Sequence, residues 1–132
     1  GLTHGIIKDF IRKIKSDNPY LEALGSHPGS TKPFCHIEDA VDALIMLGTQ
    51  ESPEGRVFNV VPDDSINVEE VAEAVMSALE IEKPIKWLGD GANWKGDNRI
   101  IRTDNSLLKS EGWNPRFTKS KDVIFDVVSR NK

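Results

Sequence analysis

The sequence predicts an α/β fold made of small mixed sheet pieces with flanking helices. Two observations carry this. Helical and strand-like segments alternate along the chain, the pattern of helices packed on sheets. Strong strands, however, are too few for a full doubly wound sheet. The clearest, residues 56–61, is apolar on both faces except at Asn59, so it calls for cover on both sides.

Residues 5–15 form an amphipathic helix, with Ile6, Ile7, Phe10, Ile11 and Ile14 on one stripe. Asn18-Pro19 ends it. Residues 21–24 are a short strand candidate stopping at Gly25, and 26–31 a loop rich in Gly, Ser and Pro. Residues 34–37 are extended. A helix follows over 38–47, with acidic residues in its first turn and Gly48 as its stop. Glu54-Gly55 and Pro62-Asp63-Asp64 bound the strand at 56–61. Asn67 then caps a further helix, with Glu70 three residues on, a capping box with Asn as the cap. Val68, Val71, Val75 and Leu79 give that helix its buried stripe. Residues 85–88 are a strand candidate after Pro84, and 89–98 a glycine-rich loop. Ile100 and Ile101 mark a short extended piece, and 104–109 a short helix ending at Gly112-Trp113. Thr118 or Ser120 opens a last amphipathic helix through Val123, Ile124, Val127 and Val128.

At 132 residues the chain fits one domain, 1–132, or part of a larger one. Its first residue, Gly1, points to a fragment, a processed chain or a cloned domain. A formal charge of −4 argues against nucleic acid or an anionic membrane as a partner. The apolar runs are too short to span a bilayer, and no secretory signal pattern opens the chain. Cys35 is the only cysteine, so an intrachain disulfide is impossible and a reducing, cytoplasmic setting is expected. Neighbours in an extended run point to opposite faces, which argues against a dyad between Cys35 and His36. His4, His27 and His36 are scattered, and no metal site is expected.

No glycine-rich dinucleotide loop follows a first strand. The only tyrosine, Tyr20, has Leu24 four positions on, so the chain has no Tyr-x-x-x-Lys. H-E-x-x-H, G-x-S-x-G and P-loop patterns are also missing. What remains are candidate binding residues. Lys32 and Phe34 share a face of an extended segment, so Lys32 could meet a phosphate while Phe34 lies on a base or ribose. Taken alone, these residues favour the plainer alternative, Phe34 in the core and Lys32 in solvent. Asp39 and Asp42 suit the start of a helix. In residues 89–99, Asp97 could accept hydroxyl hydrogen bonds or bond its own backbone. Lys95 and Arg99 could meet a diphosphate, and Trp94 either packs inward or offers a stacking surface.

Several stretches, in order, resemble the NAD-dependent epimerase/dehydratase family, the extended short-chain dehydrogenases. They are the opening T-H-G-I-I-K-D-F-I-R-K-I, then L-E-A-L-G with K-P-F-C-H-I-E-D, then V-F-N-V with S-I-N-V-E-E-V-A, and finally W-K-G-D with T-D-N-S-L-L-K-S-E-G-W-N-P. The resemblance implies the C-terminal, substrate-binding part of a Rossmann-type protein similar to the UDP-glucose 4-epimerases. It implies that Glu22 and Leu24 flank the base, Lys32 meets the diphosphate or ribose, and Phe34 packs on the nucleotide. Val68 stands at the pocket wall, Asp97 holds a sugar or ribose hydroxyl, and Thr3, His4 and Gly5 begin a substrate-side helix. Trp94 and Lys95 occupy the stretch where many epimerases place a diphosphate-clamping Arg, and Lys is a weaker fork than Arg. The family's NAD loop and Tyr-x-x-x-Lys would lie upstream. The expected ligand is therefore a UDP- or dTDP-sugar, and the expected partner an NAD-binding Rossmann half in cis or trans. The chain alone would be non-catalytic. A stand-alone interaction module, a homo-oligomer, and a dehydratase or reductase with another substrate are the alternatives.

Overall fold

The structure, a computed structural model, describes residues 5–50, 55–90 and 96–131. The elements are α1 (Ile6–Ile14), β1 (Leu21–Ala23), β2 (Thr31–Lys32), α2 (Ile37–Thr49), β3 (Ile66–Asn67), α3 (Val68–Leu79), β4 (Ile85–Trp87), α4 (Ser106–Ser110) and α5 (Ser120–Arg130). The expected mixture of small sheets and helices is what forms.

The main core gathers one stripe from each of three helices and the buried residues of β1. Phe10 and Ile14 come from α1, Val71 and Val75 from α3, Ile124 and Val128 from α5, and Leu21 and Ala23 from β1. Burying a Val, Leu, Ile or Phe side chain is worth about 1.5–3 kcal/mol, and these residues anchor the fold. The start of α3 is fixed by a reciprocal cap. Glu70 N donates to Asn67 Oδ1 at 2.9 Å, and Asn67 N donates to Glu70 Oε2 at 2.8 Å.

Two short ladders set the registers. β1 and β4 pair in parallel, Leu21 with Ile85 and Ala23 with Trp87, and an isolated bridge joins Gly25 to Gly89. β2 and β3 pair antiparallel, Thr31 with Asn67 and Lys32 with Ile66. On its other side β2 meets residues 99–101. Thr31 N donates to Arg99 O at 2.7 Å, and Ile101 N donates to Thr31 O at 2.8 Å.

A smaller core lies under α2, where Ala43, Leu108 and Trp113 are buried with Met46, Leu47, Phe58 and Val60 against them. Asp39 organises it. Its fully buried carboxylate accepts hydrogen bonds from Arg116 N at 2.7 Å and Phe117 N at 3.1 Å, and its carbonyl accepts from Trp113 Nε1 at 3.0 Å. Asp39 is thus a cap for the 113–117 loop as well as a first-turn acid. His36 is the N-cap of α2, its Nδ1 accepting from Glu38 N at 3.2 Å. His36 Nε2 lies 3.3 Å from Asp126 Oδ2 on α5. The buried imidazole therefore has a structural task, and Cys35 does not share it.

Two expectations are corrected. Gly48 does not stop α2, which continues to Thr49; a Cβ there would meet nothing within 4 Å, so the glycine marks an open face. Residues 56–61 form no strand. Their apolar sequence favours an extended path, but a ladder needs a neighbouring strand, and the described residues supply none. Phe58 and Val60 turn into the smaller core while Val57 stays 84% exposed.

Candidate functional site

Lys32 and Asp97 are 65 residues apart in sequence, yet Lys32 Nζ lies 2.5 Å from Asp97 Oδ1. Backbone pairing brings them together. The hydrogen bonds between Thr31 and residues 99–101 lay the end of the 96–101 segment beside β2, and the turn carrying Asp97 then falls next to the Lys32 side chain. The two line a cavity of about 420 Å³. One wall is α1, through Gly5, Ile6, Asp9, Phe10 and Lys13; Leu24 just beyond β1, Ser30 and Val68 at the start of α3 complete it. A second cavity of about 330 Å³ shares Ser30 and Asp97 and extends past His27, Thr31, Asp90 and Arg99.

The loop between the strands is held by α3. Glu69 N donates to Pro28 O at 3.1 Å, and His27 Nε2 lies 2.7 Å from Glu69 Oε2. Gly29 has φ +85°, and a Cβ there would fall 2.4 Å from Val68 Cβ. Only glycine lets the loop cross α3 this closely, and that crossing places Ser30 between the two cavities.

The larger cavity presents matched charges. The hydrogen bond from Lys32, helped by Ser30, holds the Asp97 carboxyl below its ordinary range. At Asp9, partial burial pushes the carboxyl up, but hydrogen bonds from Lys13 and Arg12 outweigh it and the net direction is down. Lys13 Nζ sits 2.7 Å from Asp9 Oδ2 and donates to Glu22 O at 3.1 Å. Two ammonium groups and two carboxylates therefore face one space. Such a set can hold an anion through the lysines and sugar hydroxyls through the carboxylates. Among the described lining residues of this cavity there is no Tyr, His or Cys.

Of the residues singled out from sequence, Leu24, Lys32, Val68 and Asp97 share this cavity. Glu22 reaches its edge only through the carbonyl that receives Lys13. Phe34 stands apart: it packs, half-buried, against the main core, its N–H donating to Ser120 Oγ at 3.0 Å. Gly5 lines the wall, whereas Thr3, His4, Trp94 and Lys95 lie outside the described residues. Asp9, Lys13 and Ser30 went unread in the sequence. The only available signal was the Asp-x-x-x-Lys spacing on the polar side of α1, which looks like an ordinary solvated helix pair.

Neither α2 nor α3 offers a dinucleotide cradle at its start. The N-terminal turns of α2 and α3 carry Glu38 and Asp39, and Glu69 and Glu70, which oppose a pyrophosphate where a cradle would offer free N–H groups. No group of three or more His, Cys, Asp or Glu among them is placed to hold a metal ion. None of the described helices is long and apolar enough to cross a membrane.

No family model matches the chain. A protein of Oryza sativa subsp. japonica named GDP-L-fucose synthase 2 is 31% identical over 98 residues, covering 74% of this chain and 27% of that protein. GDP-mannose 3,5-epimerase 1 of Oryza sativa subsp. indica is 28% identical over 116 residues, covering 87% of this chain and 29% of its own length. The chain thus spans less than a third of these curated relatives. A UDP-galactose 4-epimerase structure matches 97% of this chain and 40% of its own, with a TM-score of 0.78 and 23% identity. The Thermus thermophilus UDP-glucose 4-epimerase, solved with NAD, matches 96% of this chain and 41% of its own, with a TM-score of 0.73 and 19% identity. Sequence relatives and structural neighbours agree in kind: this chain is a relative of the NAD-dependent epimerase/dehydratase family and shares its extended short-chain dehydrogenase fold.

Proposed function

We propose that this chain is the C-terminal, nucleotide-sugar-binding portion of an NAD-dependent epimerase or dehydratase, and that the cavity between α1, β2 and the start of α3 takes the nucleoside diphosphate sugar. The Lys32–Asp97 pair at that cavity carries the reading. On binding, Lys32 turns from Asp97 to the diphosphate, and the released carboxylate accepts a sugar or ribose hydroxyl. Lys13 adds a second positive charge, and Leu24 and Val68 give apolar wall for the base or sugar ring. Hydride chemistry and its NAD belong to another part of the whole protein, so the chain alone binds without turnover. A reducing, cytoplasmic setting accords with its single cysteine.

The base has two readings. The names of the structural neighbours favour a UDP-sugar, and those of the sequence relatives a GDP-sugar. Calorimetric titration of the chain with UDP-glucose, dTDP-glucose and GDP-mannose separates them. Lys32→Ala should weaken the preferred ligand by roughly tenfold or more, the loss of one charge-assisted bond, and Asp97→Asn by less. No binding of any of the three, or binding indifferent to Lys32, sinks the proposal.

A further inference from the structure

The end of α1 is tied down by a lysine that does not line the cavity. Residues 15–20, Lys-Ser-Asp-Asn-Pro-Tyr, link α1 to β1. Lys83, just before β4, sends its ammonium group into this link. Its Nζ donates to Ser16 O at 2.5 Å, Asn18 O at 2.7 Å and Lys13 O at 3.4 Å. An ammonium has three N–H donors and no acceptor, and three carbonyl oxygens meet it here. A helix leaves its last carbonyls without partners inside the helix, and its C-terminus carries partial negative charge. A cation at that spot answers both. Lys83 is itself fixed by the sheet, since Leu21 N donates to Pro84 O at 2.9 Å and β1 pairs with β4 from Leu21 and Ile85 onward.

The link joins two walls of the cavity. α1 contributes Asp9, Phe10 and Lys13, and Leu24 follows β1. Lys13, in the last turn of α1, has its carbonyl held by Lys83 while its own Nζ bridges Asp9 Oδ2 and Glu22 O. When that Nζ leaves Glu22 O for a diphosphate, the Lys13 tie between α1 and β1 is gone, and the Lys83 tie remains. We propose that Lys83 is a positioning residue of the cavity: by clamping the last turn of α1 to the start of β4, it holds the Lys13 backbone in place while the Lys13 ammonium turns to the ligand. The inference rests on the reading of this cavity as a nucleoside diphosphate sugar site. Lys83 touches no ligand; it acts through the carbonyl oxygens of Lys13, Ser16 and Asn18.

A double-mutant cycle read by calorimetric titration with UDP-glucose and GDP-mannose tests this. Lys83→Met keeps the aliphatic stem and removes the three donors. It should weaken binding on the order of fivefold while Lys13 is present, and hardly at all once Lys13→Ala has been made. A clamp with a purely structural task would cost the same in both backgrounds; that result, or affinity indifferent to Lys83, overturns the proposal. Lys83→Ala leaves room among the three carbonyls for a small cation. Ammonium chloride should therefore restore part of the affinity, and tetramethylammonium chloride, which has no N–H, should not; equal effects of the two salts count against the clamp. A readout without ligand separates this inference from the cavity reading. Burial pushes the Asp9 carboxyl up, and hydrogen bonds from Lys13 and Arg12 outweigh it. Titration of Asp9 by NMR should find it higher in Lys83→Met than in wild type, because a loosened last turn carries Lys13 away. An Asp9 that does not move overturns the proposal whatever the chain binds. An Asp9 that moves, in a chain that binds neither nucleotide sugar, removes the cavity assignment and leaves the hold of Lys83 on Lys13 standing.

Discussion

The two faces of the molecule use the same kind of sequence to opposite ends. α3 and α2 both carry aliphatic residues at helical spacing. On α3 the stripe is sealed: Val71 and Val75 are buried beneath α1 and α5. On α2 the stripe from Ile37 to Ile45 faces outward, and the buried side belongs to Ala43, Met46 and Leu47. Periodicity states that a helix has an apolar face. It does not state whether the chain that encodes the helix also encodes its cover.

The largest expected effect tests that contrast directly. Ile124→Ala, in the sealed core, should destabilise by about 2–5 kcal/mol through lost burial and a residual cavity. Leu44→Ala, on the open face, should stay within about 0.5 kcal/mol. Urea unfolding of the two variants reads the difference, and similar losses would mean that the α2 face is already covered. A smaller effect probes the loop that crosses α3. Gly29→Ala combines a left-handed φ with contact on the Val68 Cβ, an atom fixed to the helix backbone. A cost of about 1–3 kcal/mol is expected, visible as a lowered melting temperature; an unchanged value would show that the loop can lift away from α3.

The smallest effect concerns the pair at the cavity. With its folded carboxyl held below the ordinary range, Asp97 adds stability that is complete above the unfolded value, about 3.9. That stability drains away as pH falls through the folded value. Both partners keep solvent contact, so the contribution is below about 1 kcal/mol. Wild type should exceed Asp97→Asn slightly at neutral pH, and the gap should close in acid. Melting curves from pH 7 downward check this, and a gap that widens in acid would contradict the pairing.

Much of the fold was legible before any coordinates. The α1 stripe, the Asn67–Glu70 box, the strand after Pro84 and the stripe of α5 are local patterns, readable within a turn or two. Gly48 misled because a glycine in a helix resembles a stop until its open surroundings are seen. Residues 56–61 misled in the other direction, since strand propensity resides in the segment and a ladder resides in its neighbour. At the cavity, the resemblance had Lys32, Phe34 and Asp97 serving one ligand; Lys32 and Asp97 do line one space, but their direct contact was not foreseen. Phe34 could be placed either in the core or over a ligand, and it stands half-buried against the main core.

By itself, the sequence determined which segments coil and which extend, how α3 is capped, and which side of each helix is apolar. Those follow from dihedral preference, capping chemistry and spacing, all acting over a few residues. The tertiary structure alone decided that Lys32 meets Asp97, that Asp39 holds the 113–117 loop, and that the α2 stripe is left uncovered. Each of those depends on registers between segments tens of residues apart, and such registers are set by packing and backbone pairing across the whole chain.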